Sequence, residues 1–148
     1  METVDHAGYS IKNYKSCQGM DGDAFSLTLY KDGKKIGTVS NGGHGGPNNY
    51  SLTNEQSNEL HKIAQRILKS DWVEAEDVFI GELINDLLNT RRFKRLCKTN
   101  VLFSVKGEKK GSYQKVKGKF TPELKEEILK LAETKWNIEI VSFLNETI

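Results

Sequence analysis

The chain is short of the residues that mark the commonest chemistries and locations. Its two cysteines, Cys17 and Cys97, lie 80 positions apart, which matches neither a thiolate metal site nor a disulfide framework. They are read as reduced thiols of an intracellular protein. Only three histidines occur, His6, His44 and His61, and none has a carboxylate or cysteine at a zinc-ligand spacing. No metal or cofactor is therefore expected. There is no Ser/His/Asp arrangement, no cysteine paired with a histidine, and no carboxylate pair on an otherwise apolar face. Asp77 with Glu82 or Asp86 could meet in space, but nothing selects them, so no catalytic residue is assigned. No apolar run approaches the roughly 20 residues that span a bilayer. The N-terminal Met-Glu-Thr-Val-Asp-His lacks the basic and apolar regions of a signal peptide. The expectation is a cytoplasmic protein with no membrane partner.

What the chain does have is charge, sorted into blocks. At 148 residues, with 36% hydrophobic and 28% charged residues, it is long enough to bury a core and reads as one compact domain. The net charge of +2 hides a segregation. Residues 70–89 hold six acids (Asp71, Glu74, Glu76, Asp77, Glu82, Asp86) and no base, whereas residues 91–119 hold 11 Lys/Arg against Glu108 alone. Such blocks point to a partner of opposite sign, or to each other. The acidic block is explained most simply as the N-terminal end of a helix and the start of the basic block as its C-terminal end, both suited to the helix dipole.

Periodicity predicts an α+β fold: an N-terminal β-meander, two central helices, and a C-terminal β-β-α-β run. Phe25, Leu27 and Leu29 alternate with Ser26, Thr28 and Tyr30, as in a half-buried strand. Asp32-Gly33 supplies a hairpin turn, and Lys35–Ser40 is the return strand. An earlier strand is expected over Tyr9–Tyr14. Thr53 with Gln56 forms a capping box ahead of a helix whose core face is Leu60, Ile63, Ala64, Ile67 and Leu68. A second helix starts near Ala75 with the stripe Ile80, Leu83, Ile84, Leu87, Leu88; the basic cluster Arg91–Lys98 lies at its end or on a short helix of its own. Val101, Phe103 and Val105 mark a strand, 107–111 a hairpin loop and Ser112–Lys117 its partner. Thr121-Pro122 starts a third helix, lined by Leu124, Ile128 and Leu131. Ile138, Ile140 and Ser142 alternate along a final strand.

Two constellations carry the functional expectations. The loop Ser40–Tyr50 packs Gly42, Gly43, Gly45 and Gly46 around His44. So much glycine serves positive φ or close approach to the backbone, and its amides could form an anion nest. It matches neither the dinucleotide fingerprint nor the phosphate-binding loop. Asn41, Gly42, Gly43, His44, Gly45, Gly46 and Asn48 are the candidate ligand-binding residues, with a purely structural loop as the competing reading. The basic face is the second constellation. Arg91, Arg92, Arg95, Lys115 and Lys117, interleaved with Phe93, Phe103 and Tyr113, suit a nucleotide or single-stranded nucleic acid. The competing readings are a solvated lysine face and core aromatics.

Residues 25–46, a strand, an Asp-Gly-Lys-Lys turn, a second strand and the loop Asn41-Gly-Gly-His-Gly-Gly46, resemble a pattern in small phage-encoded proteins of unknown function. The runs Cys97–Gly107, Phe120-Thr-Pro-Glu-Leu124 and Leu144-Asn-Glu146 are similar too. Together they cover about half the chain, at both ends. The group has no agreed chemistry, so no binding or catalytic residue carries over. The resemblance implies a phage or prophage accessory protein, a kind that often binds and blocks a host factor, including anti-phage defence components. The combined expectation is a non-enzymatic inhibitor of a host defence component, binding a nucleotide signal or an anionic-ligand site. Its alternatives are a nucleic-acid-binding accessory protein and a small hydrolase using His44.

Overall fold

A computed structural model describes residues 6–148; Met1–Asp5, most of the N-terminal run compared above with a signal peptide, lies outside the described residues. The fold is α+β, with seven strands in two antiparallel sheets and three α-helices. The chain divides into two compact units, meeting in sequence at Asp86/Leu87, and each is described separately. No helix among the described residues is long and apolar enough to cross a membrane.

The N-terminal unit is the expected meander with two helices. Strands β1 (Tyr9–Gln18), β2 (Asp23–Lys31), β3 (Lys34–Asn41) and β4 (Asn49–Ser51) pair in sequence order. The β2–β3 turn is Asp32-Gly33, with φ of 51° and 81°, the double left-handed geometry that Asp-Gly favours. β1 runs past Tyr14 because a bulge re-registers it: Lys12 faces Thr28 but Lys15 faces Ser26, and Asn13 takes φ 55° to absorb the extra residue. Helix α1 (Asn54–Leu68) starts as its capping box dictates, with both reciprocal bonds from Thr53 and Gln56 made.

Helix α2 (Ala75–Cys97) is one continuous element, so Glu76, Asp77, Glu82 and Asp86 of the acidic block and Arg91, Arg92, Lys94 and Arg95 of the basic block share a single helix. In the N-terminal unit it contributes Ala75, Phe79, Ile80 and Leu83 to a core closed by Leu27, Leu29, Val39, Leu60 and Ala64. Tyr9 meets Phe79 edge to face at 5.7 Å. Two details differ from the expected helix stripe. Phe79 is fully buried and Leu88 is 42% exposed, because the i, i+4 row Ala75–Phe79–Leu83 faces the sheet.

The C-terminal unit is a three-stranded sheet, ordered β6 (Gln114–Lys117), β5 (Asn100–Val105), β7 (Ile140–Phe143), with helix α3 (Pro122–Leu131). Val101, Phe103 and Val105 of the central strand pack with Ile128 and Phe143, so the period-2 reading of β5 finds the core. The α3 cap is as expected, the Thr121 hydroxyl accepting from the Leu124 amide at 3.2 Å. β6 begins at Gln114 rather than Ser112, and β7 at Ile140 rather than Ile138. The residues between α3 and β7 are spent on a π-helical turn, Ala132–Trp136, closed by Asn137 at φ 54°.

One side chain stitches this unit together. Asn145 accepts from the Leu102 amide at 2.8 Å and donates to the carbonyls of Asn100 (2.9 Å) and Cys97 (3.3 Å). The Leu144-Asn-Glu run and the Cys97–Gly107 run therefore meet, with the Leu144 side chain buried beside the stitch.

Candidate functional site: a self-bonded glycine loop and a cationic unit

The glycine loop connects β3 to β4 as a hairpin, rather than leading directly to a helix. Pairing continues through Ser40–Asn49 and Val39–Tyr50. β4 was invisible in the sequence because three residues, Asn-Tyr-Ser, carry no periodicity. The loop is organised by Asn41. Its carbonyl oxygen accepts from the Gly43 amide at 2.9 Å, and its amide donates to the Gly46 carbonyl at 3.1 Å and to Asn48 Oδ1 at 3.0 Å. Asn48 in turn donates from its backbone to Asp77 at 3.2 Å and from its side chain to the Tyr50 hydroxyl at 3.3 Å, while Tyr50 donates to Asp77 at 2.5 Å. Burial, and then the bond to Asp77, push the Tyr50 phenol far above its ordinary value.

The glycines have local reasons. Gly43 is buried and sits at φ 73°, against the Gly19–Gly22 turn. A Cβ on Gly43 would stand 2.9 Å from Gly19 Cα and 3.0 Å from the Gly22 carbonyl oxygen. The Asp21 amide donates to the Gly43 carbonyl at 2.8 Å, and a Cβ on Gly45 would meet Asp21 Oδ2 at 2.5 Å. Gly42 and Gly46 are exposed, as is His44, whose ring makes no hydrogen bond or ion pair among the described residues. Thus the loop brings Asn41, Gly43, Gly46 and Asn48 together by bonding them to one another. Two carboxylates, Asp21 and Asp77, bond to or touch the loop, and an anion placed beside them would face both; one base, Lys15, shares a cleft with Asn41.

The other two histidines take their partners from α2. His6 pairs with Asp86 at 2.8 Å and His61 with Glu76 at 2.5 Å. With Asp77 bonded to Tyr50, half of the acidic block is engaged inside its own unit. No group of three or more potential metal ligands gathers among the described residues.

The charge blocks follow the unit boundary. Residues 4–86 carry 8 Lys/Arg against 12 Asp/Glu, and residues 87–148 carry 14 against 7, a net of +7. On the last turns of α2, Arg91, Lys94 and Arg95 follow i, i+3 and i+4 spacing and form one stripe, which Lys98, in the turn just past the helix end, continues in sequence. Like charges at i, i+4 oppose the helix by about 0.2–0.5 kcal/mol per pair, which the C-terminal dipole partly offsets. Arg92 lies beside that stripe, its guanidinium 5.4 Å from the Phe93 ring. Phe93 meets Tyr113 edge to face at 5.1 Å, so both of these aromatics serve packing; burial raises the Tyr113 phenol.

The chain after β6 is drawn against the helix end, where the Gly118 amide donates to the Thr99 carbonyl at 2.8 Å. There Lys94, Lys98 and Lys119 line a cleft of about 550 Å³, with Phe120 and Cys97 among its walls. None of the three lysines has an ion pair among the described residues, and no carboxylate side chain lines the cleft. Burial raises the Cys97 thiol, which keeps it protonated and adds no negative charge. Lys117 is exposed on β6, paired in register with Asn100 near the same end of α2. Lys115, two residues earlier, lines a different cleft beside Trp136. The sequence places Lys94, Lys98 and Lys119 in the basic block, but the contact residues expected from it were Arg91, Arg92, Arg95, Lys115 and Lys117; the i, i+4 spacing of Lys94 and Lys98 is readable, whereas the return of Lys119 to them depends on the β5–β6 pairing.

Comparison with protein-family models, with curated proteins and with solved structures gave no match.

Proposed function

We propose that the protein is a non-enzymatic binding protein that holds an anionic ligand, a nucleotide or single-stranded nucleic acid, on its cationic C-terminal unit. In the phage-type setting that the sequence resemblance implies, that binding inhibits a host defence component. The observation that carries the reading is the cleft at Lys94, Lys98 and Lys119: three ammonium groups with no ion pair among the described residues, around about 550 Å³ of space. Clustered like charges with no acidic side chain in the cleft lining gain from a bound polyanion, which releases its counterions. The arginine stripe extends the same surface along α2.

The test is fluorescence anisotropy of a labelled oligothymidylate, measured over a salt series. Three phosphate contacts correspond to a slope of about −2 in log K against log salt for a single strand. Lys94→Glu with Lys98→Glu should abolish most binding and flatten that slope. A slope near zero, or one unchanged by the double charge reversal, would refute the reading.

A second reading, a host protein as the direct target, is favoured by one feature of the N-terminal unit. Trp72 is 57% and Val73 84% exposed, flanked in sequence by Asp71 and Glu74, and exposed tryptophan is the residue type that anchors interfaces. It predicts a stoichiometric complex with one basic host protein, lost in Trp72→Ala and little affected by Lys94→Glu.

A further inference from the structure

A second cleft in the C-terminal unit, of about 310 Å³, opens over the β5–β6 pair beside the π-helical turn. Its floor is apolar, made by Phe103, Val105 and Val116, and the Trp136 indole stands on one side. The indole is nearly parallel to the Phe103 ring, with 8° between planes and 6.2 Å between centroids, yet stays 38% exposed. A widened turn that ends on a tryptophan half out of solvent fits the placement of π-turns at functional sites.

The polar groups of the cleft lie on one side of this apolar floor. Gln114 donates to Glu108 at 2.7 Å. That bond leaves the second carboxylate oxygen and the Gln114 carbonyl as acceptors, and the second Gln114 N–H as a donor. A ligand complementary to such a cleft is flat, apolar on its faces, and carries both donors and acceptors along one edge. The volume suits one such heterocycle with an attached sugar and lies at the small end of ligand sites.

We propose that this cleft binds a nucleobase, a purine, stacked by Trp136 and read at its edge by Gln114 and Glu108. The inference rests on the assignment of ligand binding to the C-terminal unit and names the ligand's uncharged end, which the lysine cleft does not address. The base comes from a free nucleotide or from an unstacked position in a single strand.

The test uses the full chain with Trp72→Phe, which leaves Trp136 as the only tryptophan. Its fluorescence is titrated with guanosine, adenosine and uridine, and in parallel with the labelled oligonucleotide. The expected result is saturable quenching by a purine nucleoside below about 5 mM. Uridine should bind less well, and Gln114→Leu should weaken purine binding about tenfold or more. Because Gln114 is exposed, that variant keeps the core intact; Val116→Phe, which fills the cleft, is the second variant. No saturable change with any nucleoside overturns the proposal, as does quenching unaffected by both variants. Salt-dependent oligonucleotide binding without nucleoside binding overturns this inference alone. Nucleoside binding without salt-dependent oligonucleotide binding overturns the polyanion reading and leaves the base site standing.

Discussion

Four glycine-to-alanine substitutions in the N-terminal unit separate the two reasons a chain needs glycine. Gly46 has neither a positive φ nor any heavy atom within 4 Å of an added Cβ, so alanine there should be neutral or stabilise by about 0.4–1 kcal/mol through the unfolded chain. Gly33 has φ 81° but open space, and should lose about 1–2 kcal/mol from left-handed strain alone. Gly19 has no positive φ, but its Cβ would stand 2.7 Å from Gly43 Cα, 2.7 Å from the Gly22 oxygen and 2.8 Å from the Gly43 oxygen. All three are backbone atoms that no rotamer change can move, so about 1–3 kcal/mol is expected. Gly43 combines φ 73° with contacts at 2.9–3.1 Å, and its amide and carbonyl hold Asn41 and Asp21. Its alanine variant should lose about 2–5 kcal/mol. Urea unfolding followed by far-ultraviolet circular dichroism reads each loss as a midpoint shift; with m near 1–3 kcal/mol/M, about 3 kcal/mol moves the midpoint by roughly 1–3 M. Gly19→Ala with Gly43→Ala should cost less than the two singles together by about 0.5 kcal/mol or more, since both break one contact. A Gly43→Ala loss no larger than that of Gly33→Ala would refute the backbone-contact account of the loop.

Two further outcomes follow from the geometry. Asn145→Ala leaves the Leu102 amide and the Asn100 and Cys97 carbonyls without their partner, and should lower stability by about 2–4 kcal/mol in urea unfolding, while Asn137→Ala, at an exposed position with φ 54°, adds only left-handed strain of about 1 kcal/mol; equal small losses would sink the stitch argument. Tyr9 is raised to about 12 by burial and then by Glu59 and Asp32, so its folded form keeps the proton that the unfolded chain releases near pH 10, and stability should hold below that pH and fall through about pH 12; urea midpoints across that window should fall less steeply in Tyr9→Phe, and identical slopes would refute the assignment.

The fold was legible where side chains alternate or repeat over several turns. The Phe25–Leu29 strand, the Asp32-Gly33 turn, both helix caps and the Val101–Val105 strand all stand where the pattern puts them. What escaped was set by tertiary pairing. β4 exists because β3 offers an edge and Asp77 holds Tyr50. The π-helical turn has the residues of an ordinary helix end. The site was legible as a charge block but not as a cleft: proximity of Lys119 to Lys94 and Lys98 is a product of the β5–β6 hairpin and the Gly118–Thr99 bond. The glycine loop was the most conspicuous run in the sequence, and its residues turn out to bond chiefly to one another and to the turn at Gly19–Gly22.

β6 is an outer strand of its sheet, four residues long, and exposes Lys115 and Lys117. Charged lysines on an outer strand keep a second chain from adding itself to the row of unpaired amides and carbonyls. The same two ammonium groups belong to the surface proposed to meet a polyanion, and a polyanion that neutralised them would remove the guard. Saturating the protein with nucleic acid should favour chain-to-chain strand pairing, and replacing these lysines with valine would yield aggregates that imitate a binding defect. Charge reversal to glutamate keeps the strand guarded while removing the attraction, and so isolates binding from assembly.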